Sequence, residues 1–197
     1  MRTAARVFRK HGLANATLAQ VAVAAGLTRA ELAARFVTKD LLAQAIFAET
    51  IRTLKAADSR AWSGYGAGLR RTLGAARAYE DGYVVLVRDA LQHRAHQPSW
   101  QALRRRTAQR LRALIWYPDD PPPAAERPAM LDVALEPMIA FCITAIAHWV
   151  QEGDPAKDDL FLRWCGQAMR AWRHNACELL NLDTPDQDWP FDTEALG

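Results

Sequence analysis

Strand-like alternation of apolar and polar residues is almost absent from these 197 residues, which argues against a sandwich or barrel built from short strands. Cysteine is scarce. Cys142, Cys165 and Cys177 fall in apolar helical surroundings with no CxxC or other paired spacing, so a disulfide framework is not expected and reduced, buried thiols are. Arg2, Arg6, Arg9 and Lys10 interrupt the N-terminus before any apolar run of signal-peptide length can form. The longest strongly apolar segment, from Pro137 to Gln151, falls short of the roughly 20 residues that span a bilayer. No membrane partner is expected, and the chain is assigned to the cytoplasm.

Enzyme signatures are missing too. There is no Gly-rich phosphate loop, no GxSxG elbow and no HExxH, so neither catalysis nor a cofactor is expected. His93 and His96, with Arg94 between them, have no carboxylate or thiol nearby in sequence and read as a solvated loop; no metal site is expected. His148 and His174 flank tryptophans and read as polar edges of packed helices.

What is present is helical. Half of the residues are hydrophobic, enough for a sizeable core, and Ala, Leu, Arg and Glu dominate, so the fold class is all-α. The net charge of +3 is unevenly placed: residues 1–55 carry nine basic residues against Glu31, Asp40 and Glu49, a balance of +6 that leaves −3 for the rest. The basic end suits a polyanion. From Ala176 onward there are six acidic residues and no Lys or Arg, the pattern of a solvated tail.

Ala16 to Phe36, ATLAQVAVAAGLTRAELAARF, organises the N-terminal part. Leu18, Val21, Ala22 and Ala25 recur at helical spacing, Gly26 interrupts, and a second run carries Leu32 and Phe36. Thr17 with Gln20 and Thr28 with Glu31 each have capping-box spacing ahead of a helical run. The pattern is helix-turn-helix. Alone it would serve equally for an ordinary helical hairpin. Its flanks, TAARVFRKHGLANAT before and VTKDLLAQAIFAE after, make the stretch resemble the DNA-binding domain of TetR-family transcriptional regulators. The matching positions include Ala4, Ala5, Phe8 and Gly12, then Ala25, Gly26, Leu27 and Thr28, then Leu32, Phe36, Lys39 and Leu42.

That resemblance implies a DNA-binding domain over 1–45 and a ligand-binding and dimerisation domain over 46–197. The third helix, Arg29 to Arg35, would be the recognition helix, with Arg29 and Ala30 at base-reading positions. Thr17, Thr28, Ala33, Arg35 and Lys39 would complete the DNA surface, Thr28 and Lys39 holding phosphates. Ala33 stands where the family pattern carries a tyrosine, and Glu31 adds a negative charge, half explained by capping; Arg35 offsets part of the loss. The first helix, Arg2 to His11, begins later than is usual for the family, so arm contacts to phosphate are expected to be missing. The partners implied are double-stranded operator DNA, a second copy of the chain and a small-molecule effector. The alternative is a helical ligand-binding or interaction module of the same fold without tight DNA binding.

Further helices are expected at about 39–62, 67–80, 82–93, 98–116, 126–152 and 156–181, with a break at SGYGAG (63–68) and a loop at DDPPPAAERP (119–128). The fourth helix carries too many apolar residues for one face and should be covered on two sides. Pro137 should kink its helix or mark its start. The last two helices, meeting at QEGDP, resemble the family's dimerisation hairpin; Phe141, Ile146, Trp149, Phe161, Trp164, Ala168, Met169 and Trp172 are the interface residues this implies. Trp62, Tyr83, Trp100, Trp116 and Phe141 are the aromatics available to line an effector pocket. Arg104, Arg105, Arg106, Arg110 and Arg112 read as surface.

Overall fold

The computed structural model of the chain describes residues 1–57, 65–90, 92, 94–115 and 129–179. Among these residues there are nine α-helices and no strand: α1 Arg2–His11, α2 Leu18–Ala24, α3 Arg29–Arg35, α4 Lys39–Ala57, α5 Tyr65–Ala78, α6 Glu80–Asp89, α7 Gln97–Ile115, α8 Ala129–Glu152 and α9 Asp158–Leu179. Short 3-10 turns at Arg94–His96 and Pro155–Lys157 precede α7 and α9. The chain divides into two compact units, one of Met1–Ala57 with Gly74–Leu103, the other containing 65–73 and the described residues from Arg104 on. The expected boundary at 45/46 falls inside α4, and packing groups α1 to α4 with the stretch that contains α6.

In the first unit, Ala4, Ala5, Val7 and Phe8 of α1 are buried, as their spacing on one face requires. The structure differs from the expectation for α4, where the buried residues Leu42, Ala43, Ile46, Phe47, Thr50 and Leu54 form one broad stripe and Leu41 and Ala48 are exposed. Its second face is therefore not covered within the unit. Gly82 lets α6 lie close to α4, because a Cβ there would stand 2.6 Å from Thr50 Oγ1 and 2.5 Å from Tyr79 Cε1. Thr50 turns its hydroxyl back to the Ile46 carbonyl at 2.9 Å, so the contact buries no unpaired donor.

The C-terminus of α1 is tied down by α6. Arg88 donates from Nη2 to the Phe8 carbonyl and from Nη1 to the Arg9 carbonyl, both at 2.9 Å. The Phe8 carbonyl also accepts from the Gly12 amide at 2.8 Å, so Arg88 adds a second bond there, and the Arg9 carbonyl is an end-of-helix acceptor. Asp89, 4 % exposed, pairs with Arg88 at 2.8 Å and accepts from the Leu13 amide at 3.3 Å. Arg9 reaches Glu80 at 2.5 Å and Asp81 at 3.2 Å.

In the second unit α8 and α9 form an antiparallel hairpin. Trp149 stacks on Phe161 with centroids 4.7 Å apart and its indole Nε1 donates to Asp158 at 2.6 Å. Gly153 serves the turn by size: a Cβ there would fall 2.3 Å from the Trp149 ring. Asp154 accepts from the Ala156 amide at 3.0 Å and Pro155 opens the 3-10 turn, so stop and restart follow from capping as the QEGDP motif implies. Pro137 lies inside α8 and does not mark its start, which is Ala129. The break expected at 63–68 is moved as well, since α5 begins at Tyr65 and takes Gly66 and Gly68 into the helix. The apolar segment is longer than Pro137–Gln151: by length and composition alone Val133–Glu152 is sufficient to cross a membrane, and in the hairpin its inner face, from Leu135 through Ile146 to Val150, is buried.

Candidate nucleic-acid interface

α2 and α3 are seven residues each, too short to be stable alone, and their ends carry the bonds that hold them. At the start of α2, Thr17 Oγ1 accepts from the Gln20 amide at 3.2 Å while Gln20 Oε1 accepts from the Thr17 amide at 2.8 Å. α3 repeats the device with Thr28 and Glu31, at 3.2 and 2.8 Å. Between them the Leu27 amide reaches the Ala22 carbonyl at 2.9 Å and the Gly26 amide reaches the Val23 carbonyl at 3.2 Å. This is a Schellman closure, and Gly26 supplies the left-handed backbone it needs, with φ of 66°.

Leu32 anchors α3 inward at 4 % exposure, and the remaining side chains of α3 face outward: Arg29, Ala30, Glu31, Ala33, Ala34 and Arg35 are all exposed. Arg29 sits in the first turn, where a long guanidinium can reach beyond the helix end. Thr38 caps α4, its Oγ1 accepting from the Leu41 amide at 3.2 Å, a role sequence reasoning missed although the Thr-x-Asp spacing at the helix start was there to be read.

Two expected phosphate contacts are altered. The Thr28 hydroxyl and amide both donate to the Glu31 carboxylate at 2.8 Å, so neither donor is held out for a phosphate. Those two bonds from Thr28 hold the Glu31 carboxyl below its ordinary pKa, keeping the charge in place. Lys39 donates from Nζ to the Ala14 carbonyl at 2.8 Å, which pins the loop after α1 to the start of α4 and leaves the ammonium two further donors. The basic surplus is also partly spent internally, Arg9 on Glu80 and Asp81 and Arg52 on Glu49.

A groove of about 530 Å³ runs between α1 and α2, walled by Arg6, Lys10 and His11 over Val7, Ala19 and Val23. His96 corrects the solvated-loop reading. It is fully buried, edge-on to Phe47 at 5.1 Å, with Nε2 3.6 Å from Asp40 Oδ1; the 3-10 turn before α7 carries the ring inward. His93 lies outside the described residues. Among the described residues no group of three His, Cys, Asp or Glu is placed to hold a metal.

Residues 1–46 match the sequence model of bacterial regulatory proteins of the tetR family. The chain carries a TetR-family N-terminal domain. A crystal structure of a tetR-family transcriptional regulator from Streptomyces coelicolor is similar in fold to the whole chain, with a TM-score of 0.57 at 15% identity, covering 98% of this chain and 92% of that one. No curated protein matches in sequence. The matched residues take in α1 to α3 and the first turns of α4.

The aromatics assigned to a pocket are divided. Tyr83 and Trp100 are buried at 1 % and 6 % in the first unit, while Phe141 lies in the second, half-buried with its ring 5.4 Å from that of Trp164. Trp62 and Trp116 lie outside the described residues. Of the dimer residues, Ile146, Phe161 and Met169 are buried at 1 %, 7 % and 1 % between α8 and α9 of the same chain and offer a partner little surface. Trp164 and Trp172 are 54 % and 39 % exposed, Trp149 and Ala168 are half-buried, and Leu160, which sequence reasoning missed, is 57 % exposed. Trp164 and Leu160 flank a groove of about 510 Å³ with His148 and Ala145.

Proposed function

We propose that this chain is a ligand-responsive transcriptional repressor of TetR type that binds operator DNA as a homodimer in the cytoplasm, and that it has no catalytic role of its own. The observation that carries the reading is α3: a short helix locked at its start by the Thr28–Glu31 box, anchored by Leu32, with Arg29, Ala30, Ala33 and Arg35 turned outward. In this reading Arg29 pairs with guanine O6 and N7, Ala30 and Ala33 lie against base edges or thymine methyls, and Arg35, Lys39 and Thr17 approach phosphates. The exposed tryptophans and Leu160 on α9 supply an apolar face for a twofold mate, which would set two recognition helices roughly 34–36 Å apart. An effector that turns occupancy from nearly full to nearly none must favour the non-binding state by about 5.5 kcal/mol.

A gel-shift with DNA from upstream of the chain's own gene tests this directly: a shifted band should survive excess competitor DNA. Loss of the band under competitor would remove operator recognition. The second reading, a module of this fold without tight DNA binding, is favoured by one feature, the exposed and ionised Glu31 beside the base-reading positions. It predicts that no sequence is retained in a binding-site selection from random DNA.

A further inference from the structure

The groove between α1 and α2 belongs to the first unit, and operator recognition as described leaves it unused. Its floor is apolar, formed by Val7, Ala19 and Val23, and Val23 stands 81 % exposed. Its rim is basic. Arg6, Lys10 and His11 are exposed along α1, and among the described residues no carboxylate lines the groove. Arg6 has Asp81 at 3.8 Å, too long and too exposed a pair to hold it firmly. Arg9, which the acids of α6 hold more closely, is not part of the lining. The sequence also holds a segment of opposite character. Leu180 to Gly197, outside the described residues, carry Asp183, Asp186, Asp188, Asp192 and Glu194 without one Lys or Arg, and Trp189 and Phe191 stand among these acids.

We propose that this groove is a docking site for the chain's own acidic segment, Asp183 to Glu194, with its aromatic rings on the Val7 and Val23 floor and its carboxylates against Arg6, Lys10 and His11. Two features of the groove select this occupant together. A nucleic-acid phosphate gains from the basic rim and nothing from the apolar floor, whereas an indole or phenyl ring laid on that floor removes apolar surface from water. A purely apolar segment would use the floor and leave the rim without partners. A segment that carries both carboxylates and rings answers both. Exposed ion pairs contribute little singly, so the rings supply the hold and charge decides which segment enters. Because segment and groove belong to one chain, they meet at an effective concentration of about millimolar, and a weak site is enough. Docked there, the segment covers basic surface of α1 next to the helix-turn-helix.

The chain has four lysines, Lys10, Lys39, Lys55 and Lys157, so a zero-length carbodiimide cross-link between an amine and a carboxylate reports which lysine a given acid touches. On the full chain at low salt, peptide mapping by mass spectrometry should find Lys10 joined to acids of the 183–194 segment, in a yield that falls several-fold at high salt. Val23→Asp removes apolar floor and repels the acids, and should cut that product about fivefold or more. Trp189→Ser with Phe191→Ser should do the same. Val37→Asp, at a residue 77 % exposed and outside the groove, should leave the yield unchanged. In an equal mixture of unlabelled and heavy-isotope chains, the Lys10 product should join peptides of one label. The proposal is overturned if these acids join only other lysines or none, or if either groove-directed variant cross-links like the parent. Mixed-label pairs in the majority would also overturn it, making a second copy the occupant. Helix content by circular dichroism accompanies each variant, and should Val23→Asp fail to fold, the double serine variant, changed only beyond α9, decides the outcome. No DNA is present in the assay, so docking stands or falls apart from operator recognition.

Discussion

Replacing Arg88 by Met removes the clamp between α6 and the end of α1 while keeping the length of the side chain. Four hydrogen bonds are lost: two to the Phe8 and Arg9 carbonyls and two to the Asp89 carboxylate. The carbonyls belong to a helix end and can be taken over by water, so each loss costs about 1 kcal/mol. Asp89 is 4 % exposed and, among the described residues, would keep only the Leu13 amide, at 3.3 Å. Stranding a buried charge costs about 3–5 kcal/mol where water is fully excluded. Arg88 itself is 36% exposed, so water enters where it leaves, and the lower end applies after discount. The combined penalty is about 5 kcal/mol, which lowers the unfolding midpoint by about 10–20 °C for a chain of this size. Thermal unfolding followed by circular dichroism reads it. Arg88→Met with Asp89→Asn should unfold at a higher temperature than Arg88→Met alone, because the stranded charge is gone. A drop under 2 °C in the single variant, or no recovery in the double, refutes the view that this pair secures α1.

Arg29→Ala should relax sequence preference at one operator position by about 1–3 kcal/mol, seen as equalised affinities for base-substituted sites in a competition assay. Lys39→Ala should weaken all sequences alike and flatten the dependence of affinity on salt; retention of the full salt slope would remove it from the phosphate surface. Glu31→Gln keeps an acceptor for the Thr28 amide and removes the charge, so it should tighten binding to random-sequence DNA at low salt while the unfolding midpoint moves little. Because the folded-state pKa of Glu31 lies below its ordinary value of 4.5, its cap contributes fully above that value and is lost as pH falls through the lower folded one, an acid loss of helix content that Glu31→Gln should not show. Leu160→Glu with Trp164→Glu should shift the molecular mass by light scattering from two chains to one; a persistent dimer would place the interface elsewhere.

Much of the first 40 residues is legible in the sequence because short-range chemistry decides it. Thr17, Gln20, Thr28 and Glu31 act across three residues and Gly26 acts on its own backbone, so caps, turn and helix limits follow from local spacing; α1 and α3 have the bounds their patterns predict. The long α8 and α9 follow from apolar composition and the QEGDP punctuation in the same way. What the sequence alone could not settle depends on residues far apart in the chain. Arg88 serves α1 from about 80 residues away, Lys39 gives one of its three donors to Ala14, and His96 turns inward against Phe47. Periodicity marks Ile146 and Met169 as apolar, and only the packing of α8 on α9 decides that they are buried while Leu160 and Trp164 face out. A pattern fixes which side of a helix is apolar; which neighbour covers that side, and which charge is used up in holding it there, is decided when distant segments meet.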